Sequence, residues 1–333
     1  MPSSVLHSYF AIDTISKANP KIANKIDINY LKIFAQGPDI YYFYNLMIGK
    51  KANNIKNIGI RMHKTNTQQY FLELIKYIVE NNLKNNKQIM SYLYGSIAHY
   101  ILDSTTHPFI IYHAGIFNSK NRKTYKYSSL HFEIEYYLDA YFIFKREKML
   151  PKDFKVYNYL VNVNNIDKEL IKMINTIMAK VYKVENFAPY YIKGINDMKK
   201  FYHIFNYDKY GIKKVLYKII DFFSPRCFTK KAVLSFHINP YEKDYILNSD
   251  KEEWNHPMDS DEFYNLSFVE IYLSALTKCI SIINAVDDML NKNEYNLEKL
   301  KELFPNLSYL TGKDCNDSRT MKYFKDNKTN ILL

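Results

Sequence analysis

Glycine, proline and cysteine are all scarce in this sequence of 333 residues, which contains 8, 10 and 3 of them. An all-β sandwich or barrel needs many tight turns, so the shortage of turn residues favours helices. The cysteines, at positions 227, 279 and 315, lie far apart and form no CxxC pair. This spacing excludes a disulfide framework and a cysteine-rich zinc ribbon.

A secretory signal is also missing from the sequence. The first charged residue is Asp13, and the N-terminus has neither the basic region nor the apolar region of a signal peptide. Residues 88–119 carry a single formal charge, Asp103, but several histidines interrupt them and disfavour a membrane span. We therefore expect a cytoplasmic protein without a transmembrane segment.

Basic residues exceed acidic ones by 46 to 34, which gives a formal net charge of +12. The lysines are scattered, so no basic arm for nucleic acid is indicated, and the joint abundance of Asn, Ile, Tyr and Lys is typical of an AT-rich genome. A basic exterior attracts anionic substrates and phospholipid surfaces. The charge is thus compatible with peripheral contact with a membrane.

Apolar residues recur with helical spacing along much of the chain, which predicts an all-α fold. The predicted helices are residues 67–82, 88–110, 128–148, 166–183 and 264–292. An irregular stretch is expected over 224–262 and a frayed polar tail beyond 312. We predict a helical domain over residues 1–200 and a helical C-terminal extension, packed on it, over residues 201–333.

Two polar stripes interrupt the apolar residues of consecutive predicted helices. The first stripe is His99, Asp103 and His107, and the second is His131, Glu135 and Asp139. Residues four apart share a helical face, so both stripes are expected to point inward. Ionised carboxylates are costly to bury without partners. Carboxylates paired with imidazoles are typical ligands of divalent metals, above all zinc.

Each pair could instead be an exposed ion pair between residues four apart on a helix, which is a common arrangement. Two pairs in neighbouring apolar helices, with further histidines upstream, favour the metal site. Asp39 could be a ligand or an N-cap, and His63 could be a ligand or a loop histidine. Among the other histidines, His113, in a loop after the first stripe, is expected to be structural, and His203, His237 and His256 are expected to be ordinary surface or core residues.

The order of these pieces resembles the bacterial zinc-dependent phospholipase C family, which is related to the single-strand-specific zinc nucleases. The pieces are Met1-Pro2-Ser3 with His7, Gly37-Pro38-Asp39, Met62-His63, Gly95-x-x-x-His99-x-x-x-Asp103-x-x-x-His107-Pro108 and His131-x-x-x-Glu135. They span residues 1–140. The resemblance implies an all-helical phospholipase C or zinc-nuclease-like fold with zinc ions held in a cleft.

The resemblance also implies an allocation of ligands. Asp39, His63, His99 and Asp103 would bind one zinc, and His107, His131 and Glu135 would bind a second. His7, with Asp103 bridging, would bind a third. Secreted members complete the third site with an N-terminal Trp, where this chain has Met1-Pro2, so two or three zinc ions per chain are expected.

The activity implied by the resemblance is hydrolysis of a phospholipid, or of another phosphodiester, by a zinc-activated water. Asp39 is expected to orient this water or to take its proton. Two alternatives stay open at the level of sequence. One is a zinc-dependent nuclease on the same scaffold, with nucleic acid as its partner. The other is a non-catalytic, metal-stabilised protein that binds lipid or a protein partner.

Overall fold

The structure, a computed structural model, describes residues 3–46, 51–160, 165–224, 231–241 and 244–325. The all-α prediction is confirmed, because 66% of the structure is helical and its sheet has two short strands. The helices are α1 Ser4–Lys17, α2 Pro20–Ala23, α3 Ile28–Phe34, α4 Ile40–Phe43, α5 Lys51–Met62, α6 Thr67–Glu80, α7 Lys87–Ala114, α8 Tyr125–Glu147, α9 Val156–Tyr159, α10 Lys168–Tyr182, α11 Ala188–Phe201, α12 Ile212–Phe223, α13 Asp244–Leu247, α14 Phe268–Asn291 and α15 Leu297–Leu303.

Five of these helices, α6, α7, α8, α10 and α14, match the helices that the apolar periodicity predicts, with ends that differ by a few residues. Side chains define where the longest ones begin. The Asn86 side chain accepts the backbone N–H groups of Gln88 and Ile89 at the start of α7. Ser267 and Glu270 form a capping box at the start of α14.

The helix α7 lies at the centre of the fold, and α1, α3, α8 and α14 pack on it. Almost every side chain of α7 is buried. Gly95 allows α3 to approach the backbone of α7 directly, because a Cβ at this position would lie 2.8 Å from backbone atoms of Phe34 and Ala35. Gly95, with which the His99 motif begins, is therefore needed for helix packing.

The helix α14 is long and apolar enough to cross a membrane, the one such helix among the described residues. It packs on α7 and α1, and its inward side chains belong to the main apolar core. Near its end, the buried carboxylate of Asp287 lies 2.5 Å from the Lys25 ammonium and accepts the Tyr94 hydroxyl at 2.8 Å. These contacts make α14 a core helix of this fold.

Two expectations about the C-terminal part are wrong. Strands β1 (Trp254–His256) and β2 (Asp259–Tyr264) form an antiparallel hairpin inside the stretch expected to be irregular. The described part of the tail is hydrogen-bonded as far as Lys325, whose N–H donates to the carbonyl of Tyr112 on α7, and residues 326–333 lie outside the described residues. A polar sequence frays only when its backbone finds no partner, and here the partner is the central helix.

One buried apolar core extends from Val5 to Tyr309, so side chains from both sides of residue 200 contribute to it. The division into a domain over residues 1–200 and an extension stays a prediction. What matters for the site is that the segment around Tyr309 lies beside the first stripe of α7, because it receives a hydrogen bond from His107.

Candidate metal centre

The Asp103 carboxylate is the centre of a buried cluster of histidines. Its oxygens lie 3.2 Å from His7 Nε2 and 3.2 Å from His99 Nε2. They lie 3.6 Å from His107 Nδ1 and 3.8 Å from His63 Nε2. All five side chains are buried, with exposures of 6% or less. Four imidazoles thus face one carboxylate from three separate parts of the chain.

Three further elements bring their residues to α7. The packing of α1 on α7 delivers His7 from its second turn. Asp39 ends a 3₁₀ turn (Gly37–Asp39), and its Oδ1 lies 3.1 Å from Nε2 of His63, which directly follows α5. The side chain of Asp39 makes no capping hydrogen bond. Asp39 thus occupies the N-cap position of α4 without a capping bond from its side chain, and its carboxylate faces the cluster.

Gly37 shows why the turn before Asp39 contains glycine. Its φ is +49°, in the left-handed region, and an added Cβ would lie 2.6 Å from the ring of His99. A larger residue would be strained and would displace this imidazole. The Gly37-Pro38-Asp39 motif thus allows the turn to pass against the ring of His99 while it presents Asp39.

A second group of side chains lies across the interface between α7 and α8. Glu135 Oε1 lies 3.2 Å from His131 Nε2 and 3.5 Å from His107 Nε2. The rings of His107 and His131 are stacked with centroids 5.4 Å apart. His131 is the most accessible of the three, with its side chain 22% exposed. The alternative of exposed ion pairs is wrong for both stripes, because the carboxylates of Asp103 and Glu135 are buried.

Backbone carbonyls orient three of the imidazoles. The Nδ1 atom of His63 lies 2.7 Å from the Gly59 carbonyl, and that of His99 lies 3.1 Å from the Ala35 carbonyl. The Nδ1 atom of His107 lies 3.0 Å from the Tyr309 carbonyl. In a neutral imidazole, donation from Nδ1–H to a carbonyl leaves Nε2 with a free lone pair. Nε2 faces Asp103 in His63 and His99, and it faces Glu135 in His107. Histidines that bind a metal are typically held in this way.

Burial and the neighbouring charges shift the pKa values of the groups in this cluster in opposite directions. Burial alone would lower the pKa of His107, but the facing carboxylates of Asp103 and Glu135 raise it to about 9. Burial lowers the pKa of His99 in spite of Asp103. Burial would raise the pKa of Asp103, yet the imidazoles of His107, His99 and His7 hold it well below its usual range. Asp103 is therefore an anion.

The residues present fit divalent metal ions. The ligand atoms of His7, Asp39, His99 and Asp103 all lie within 4.8 Å of one another, and so do those of His107, His131 and Glu135. Asp39 Oδ2, His99 Nε2 and Asp103 Oδ2 are buried but make no hydrogen bond of good geometry. A buried polar atom without a partner is costly, and a cation between these atoms would remove that cost. Neutral imidazole and carboxylate are a typical donor set for zinc.

The two groups open into a cleft of about 280 Å³. Its lining includes Asp39, His63, His107, His131 and Glu135, and also four residues that sequence reasoning missed: Tyr42, Leu46, Lys56 and Leu310. Lys56 lies seven residues before His63, close to two helical turns, so the shared face was readable from the spacing. Leu310 carries no such signal, because it reaches the cleft only through the packing of the C-terminal segment.

Asp139, the last member of the second stripe, lies outside both groups of candidate ligands. Its Oδ1 accepts the Ser3 hydroxyl at 2.5 Å and the Leu6 N–H at 2.8 Å, and its Oδ2 accepts the Val5 N–H at 3.3 Å. The first N–H groups of a helix lack intrahelical partners, so this carboxylate satisfies the start of α1. Asp139 thereby positions the helix that carries His7.

Replacing Asp139 by alanine is expected to lower the free energy of unfolding by about 2–4 kcal/mol, because buried N–H groups at the start of α1 lose their acceptor. Urea unfolding of the zinc-loaded protein measures this change. The matched control is Asp288→Ala, which removes an exposed carboxylate from α14. Equal unfolding midpoints for the two variants would show that Asp139 does not hold α1.

The remaining histidines lie apart from the cluster. His113 lies in the last turn of α7 rather than in a loop, and its Nδ1 is 2.9 Å from the Phe109 carbonyl. His256 Nε2 is 2.8 Å from the carbonyl of Thr311. His237 bonds a backbone carbonyl in the same way, and His203 is exposed. None of the four belongs to the two groups of candidate ligands in the described residues.

Comparison with known proteins agrees with this geometry. The model of a family described as zinc-dependent phospholipase C matches residues 6–187. Searches of curated proteins and of solved structures gave no match. The matched segment contains every candidate ligand, from His7 to Glu135, and covers more than half of the 333 residues. The chain therefore belongs to the zinc-dependent phospholipase C family.

Proposed function

We propose that this protein hydrolyses a phospholipid at the bond between its phosphate and its glycerol oxygen, with zinc as the cofactor. The observation that supports this most is the Asp103 carboxylate, which is faced by four histidines, two of which, His63 and His107, line an open cleft. The substrate class follows from the family, which acts on phospholipids. The cleft is wide enough for a headgroup phosphate, and the acyl chains would remain outside it.

The proposed ligands divide into the sets that the family pattern implies. Asp39, His63, His99 and Asp103 would hold one zinc, His107, His131 and Glu135 would hold a second, and His7 with Asp103 would hold a third. His63 belongs with the first set because its Nε2 is 3.1 Å from Asp39 Oδ1. Bound zinc supplies charge neutralisation for the phosphoryl oxygens and a lowered pKa for water.

Asp39 is the proposed proton acceptor. His63 engages its Oδ1, whereas its Oδ2 is buried and makes no hydrogen bond. A carboxylate oxygen in this state can orient a water molecule and take its proton as the water oxygen forms its bond to phosphorus. The bond from phosphorus to the glycerol oxygen then breaks, the departing alkoxide takes up a proton from solvent water, and Asp39 releases the proton that it accepted to the solvent. The products are diacylglycerol and a phosphorylated headgroup.

Lys56 and Tyr42 are proposed to position the phosphate. Both line the cleft beside Asp39 and His63. The Lys56 ammonium supplies a positive charge for a non-bridging phosphoryl oxygen. Burial raises the pKa of Tyr42 well above its usual value, so its hydroxyl stays protonated and can donate a hydrogen bond to the substrate. Neither residue is a candidate metal ligand, so both can contact the substrate.

The test is hydrolysis of phospholipids in mixed micelles, followed by phosphorus NMR. The zinc-loaded protein should convert the phosphodiester signal of at least one headgroup class to that of a phosphomonoester, and a chelator should stop this conversion. Lys56→Met should lower kcat/KM by about 10- to 100-fold, since one charged contact with the phosphate is lost. The matched control is Lys76→Met, which changes an exposed lysine on α6.

Other results would contradict the proposal in distinguishable ways. Cleavage of single-stranded DNA with every phospholipid left intact would indicate the nuclease alternative. A zinc-loaded protein that cleaves no phosphodiester would indicate the non-catalytic alternative. Elemental analysis of untagged protein is made alongside, and two or three zinc ions per chain are expected.

A further inference from the structure

The helix α12 exposes its apolar residues to the outside of the protein. Six of its apolar side chains recur with helical spacing and are 51–83% exposed: Ile212, Val215, Leu216, Ile219, Phe222 and Phe223. We call these six residues the α12 apolar face. A surface helix normally packs such a stripe on the core. A contiguous exposed patch of this kind instead marks a surface that binds a partner or a membrane.

Hydrogen bonds made by the polar side of α12 hold the helix with its apolar face pointing outward. The buried Tyr217 hydroxyl donates to the carbonyl of Phe205 at 3.0 Å. The Lys213 ammonium donates to two backbone carbonyls at 2.6 and 2.8 Å. The Asp221 carboxylate accepts the backbone N–H of Ala232 at 2.9 Å. Turning the apolar face inward would break these bonds, so the exposure is built into the fold.

The charges around the α12 apolar face indicate which kind of partner binds to it. Lys214 and Lys218 lie one turn apart beside the face, and the exposed Tyr210 and Lys209 precede the helix. Aromatic and aliphatic residues bordered by lysines are typical of helices that lie in the interface of an anionic bilayer. A second copy of the chain would bring its own lysines to the same contact, because a two-fold interface pairs identical surfaces. Charge complementarity therefore favours the bilayer.

The helix α12 is also linked by packing to α8, which carries two of the candidate metal ligands. A short 3₁₀ turn, Ala232–Ser235, packs against both α12 and α8. The ring of Phe236 at its end lies 5.2 Å from the ring of Tyr136, the neighbour of Glu135 on α8. A bilayer bound by α12 would thus be coupled, through the turn Ala232–Ser235, to the helix that carries His131 and Glu135.

We propose that α12 is the membrane-docking helix of this protein: its apolar face enters the headgroup boundary of an anionic phospholipid bilayer and holds the cleft on its substrate. The proposal rests on the phospholipid substrate proposed above. Phe222 and Phe223, at 83% and 78% exposed, are its main anchors, and Lys214 and Lys218 supply the attraction to anionic headgroups.

The first arm of the test measures binding to vesicles of phosphatidylglycerol and phosphatidylcholine in equal parts. It uses the full chain with Asp39→Asn, so that the lipid stays intact. Adding Phe222→Ser and Phe223→Ser should weaken co-sedimentation with the vesicles at least about tenfold. The matched control is Phe117→Ser with Phe263→Ser, which changes two exposed phenylalanines elsewhere. Lys214→Glu with Lys218→Glu should weaken binding at low salt, and high salt should reduce the difference.

The second arm measures hydrolysis by the chain with Asp39 intact. The variant with both Phe222→Ser and Phe223→Ser should cleave monomeric short-chain phosphatidylcholine at an unchanged rate and vesicles about tenfold more slowly. Vesicle binding that equals that of the unmodified chain overturns the docking proposal. The docking proposal is also overturned if the unmodified chain binds no vesicles and forms a dimer that Phe222→Ser and Phe223→Ser dissociate. Vesicle binding through α12 without cleavage of any phospholipid supports docking and overturns the proposed function.

Discussion

Replacing Asp103 by asparagine should reduce phospholipid hydrolysis by about 10³-fold or more, which corresponds to ~4 kcal/mol of transition-state stabilisation. The change keeps the shape of the side chain but removes the negative charge that four imidazoles face. It also places an NH₂ group among nitrogens whose lone pairs point inward. Steady-state rates on micellar lipid measure the loss, and elemental analysis should show fewer zinc ions per chain.

The control for Asp103→Asn is Asp153→Asn, an identical change at an exposed carboxylate just after α8. It should leave both the rate and the zinc content unchanged. Circular dichroism must show that Asp103→Asn retains its helices, so that a lost activity cannot be ascribed to unfolding. A folded Asp103→Asn variant with the full rate would be incompatible with Asp103 as a shared ligand.

Removal of zinc by a chelator is the second change with a large expected effect. A ligand present at a thousand times its dissociation constant stabilises the folded state by about 4 kcal/mol, so the melting temperature should fall by about 5–10 °C. The physical reason is the set of buried nitrogens and oxygens that have no hydrogen-bond partner without a cation. Differential scanning calorimetry with and without chelator measures the shift, and added zinc should reverse it.

Two controls accompany the chelator experiment. The exposed substitution Asp153→Asn should not alter the shift. In Asp103→Asn the chelator should have a much smaller effect, because less zinc is bound at the start. A melting temperature that no chelator changes, in a protein shown to contain zinc, would mean that the cluster does not couple metal binding to folding.

Much of the candidate site could be predicted because its key spacings are local. Residues four apart share a helical face, and this alone placed His99, Asp103 and His107 together. That rule holds wherever a helix forms, and the apolar periodicity predicted α7. The meeting of His7 with Asp103 is a different matter, since it depends on how α1 packs on α7. Only the family resemblance pointed to it.

Other features could not be predicted because backbone groups or packing direction decide them. The carboxylate of Asp139 accepts N–H groups more than 130 residues away in sequence, and such pairings leave no periodic signal. The hairpin of β1 and β2 is too short for its alternation to stand out. The spacing in α12 shows which residues share a face, but it does not show that this face points outward.

Tyr309 has a consequence for the order in which the protein is made. Its N–H donates to the carbonyl of His63, its own carbonyl accepts from His107, and its ring lies 5.6 Å from that of His99. Translation at ~5–20 residues per second puts roughly 15–60 s between the synthesis of His7 and of Tyr309. Until Tyr309 is made, His107 lacks the carbonyl that orients its ring. A chain truncated before residue 309 would keep every candidate ligand and still lack the group that orients His107, so we expect it to bind metal less tightly than a chain that includes Tyr309.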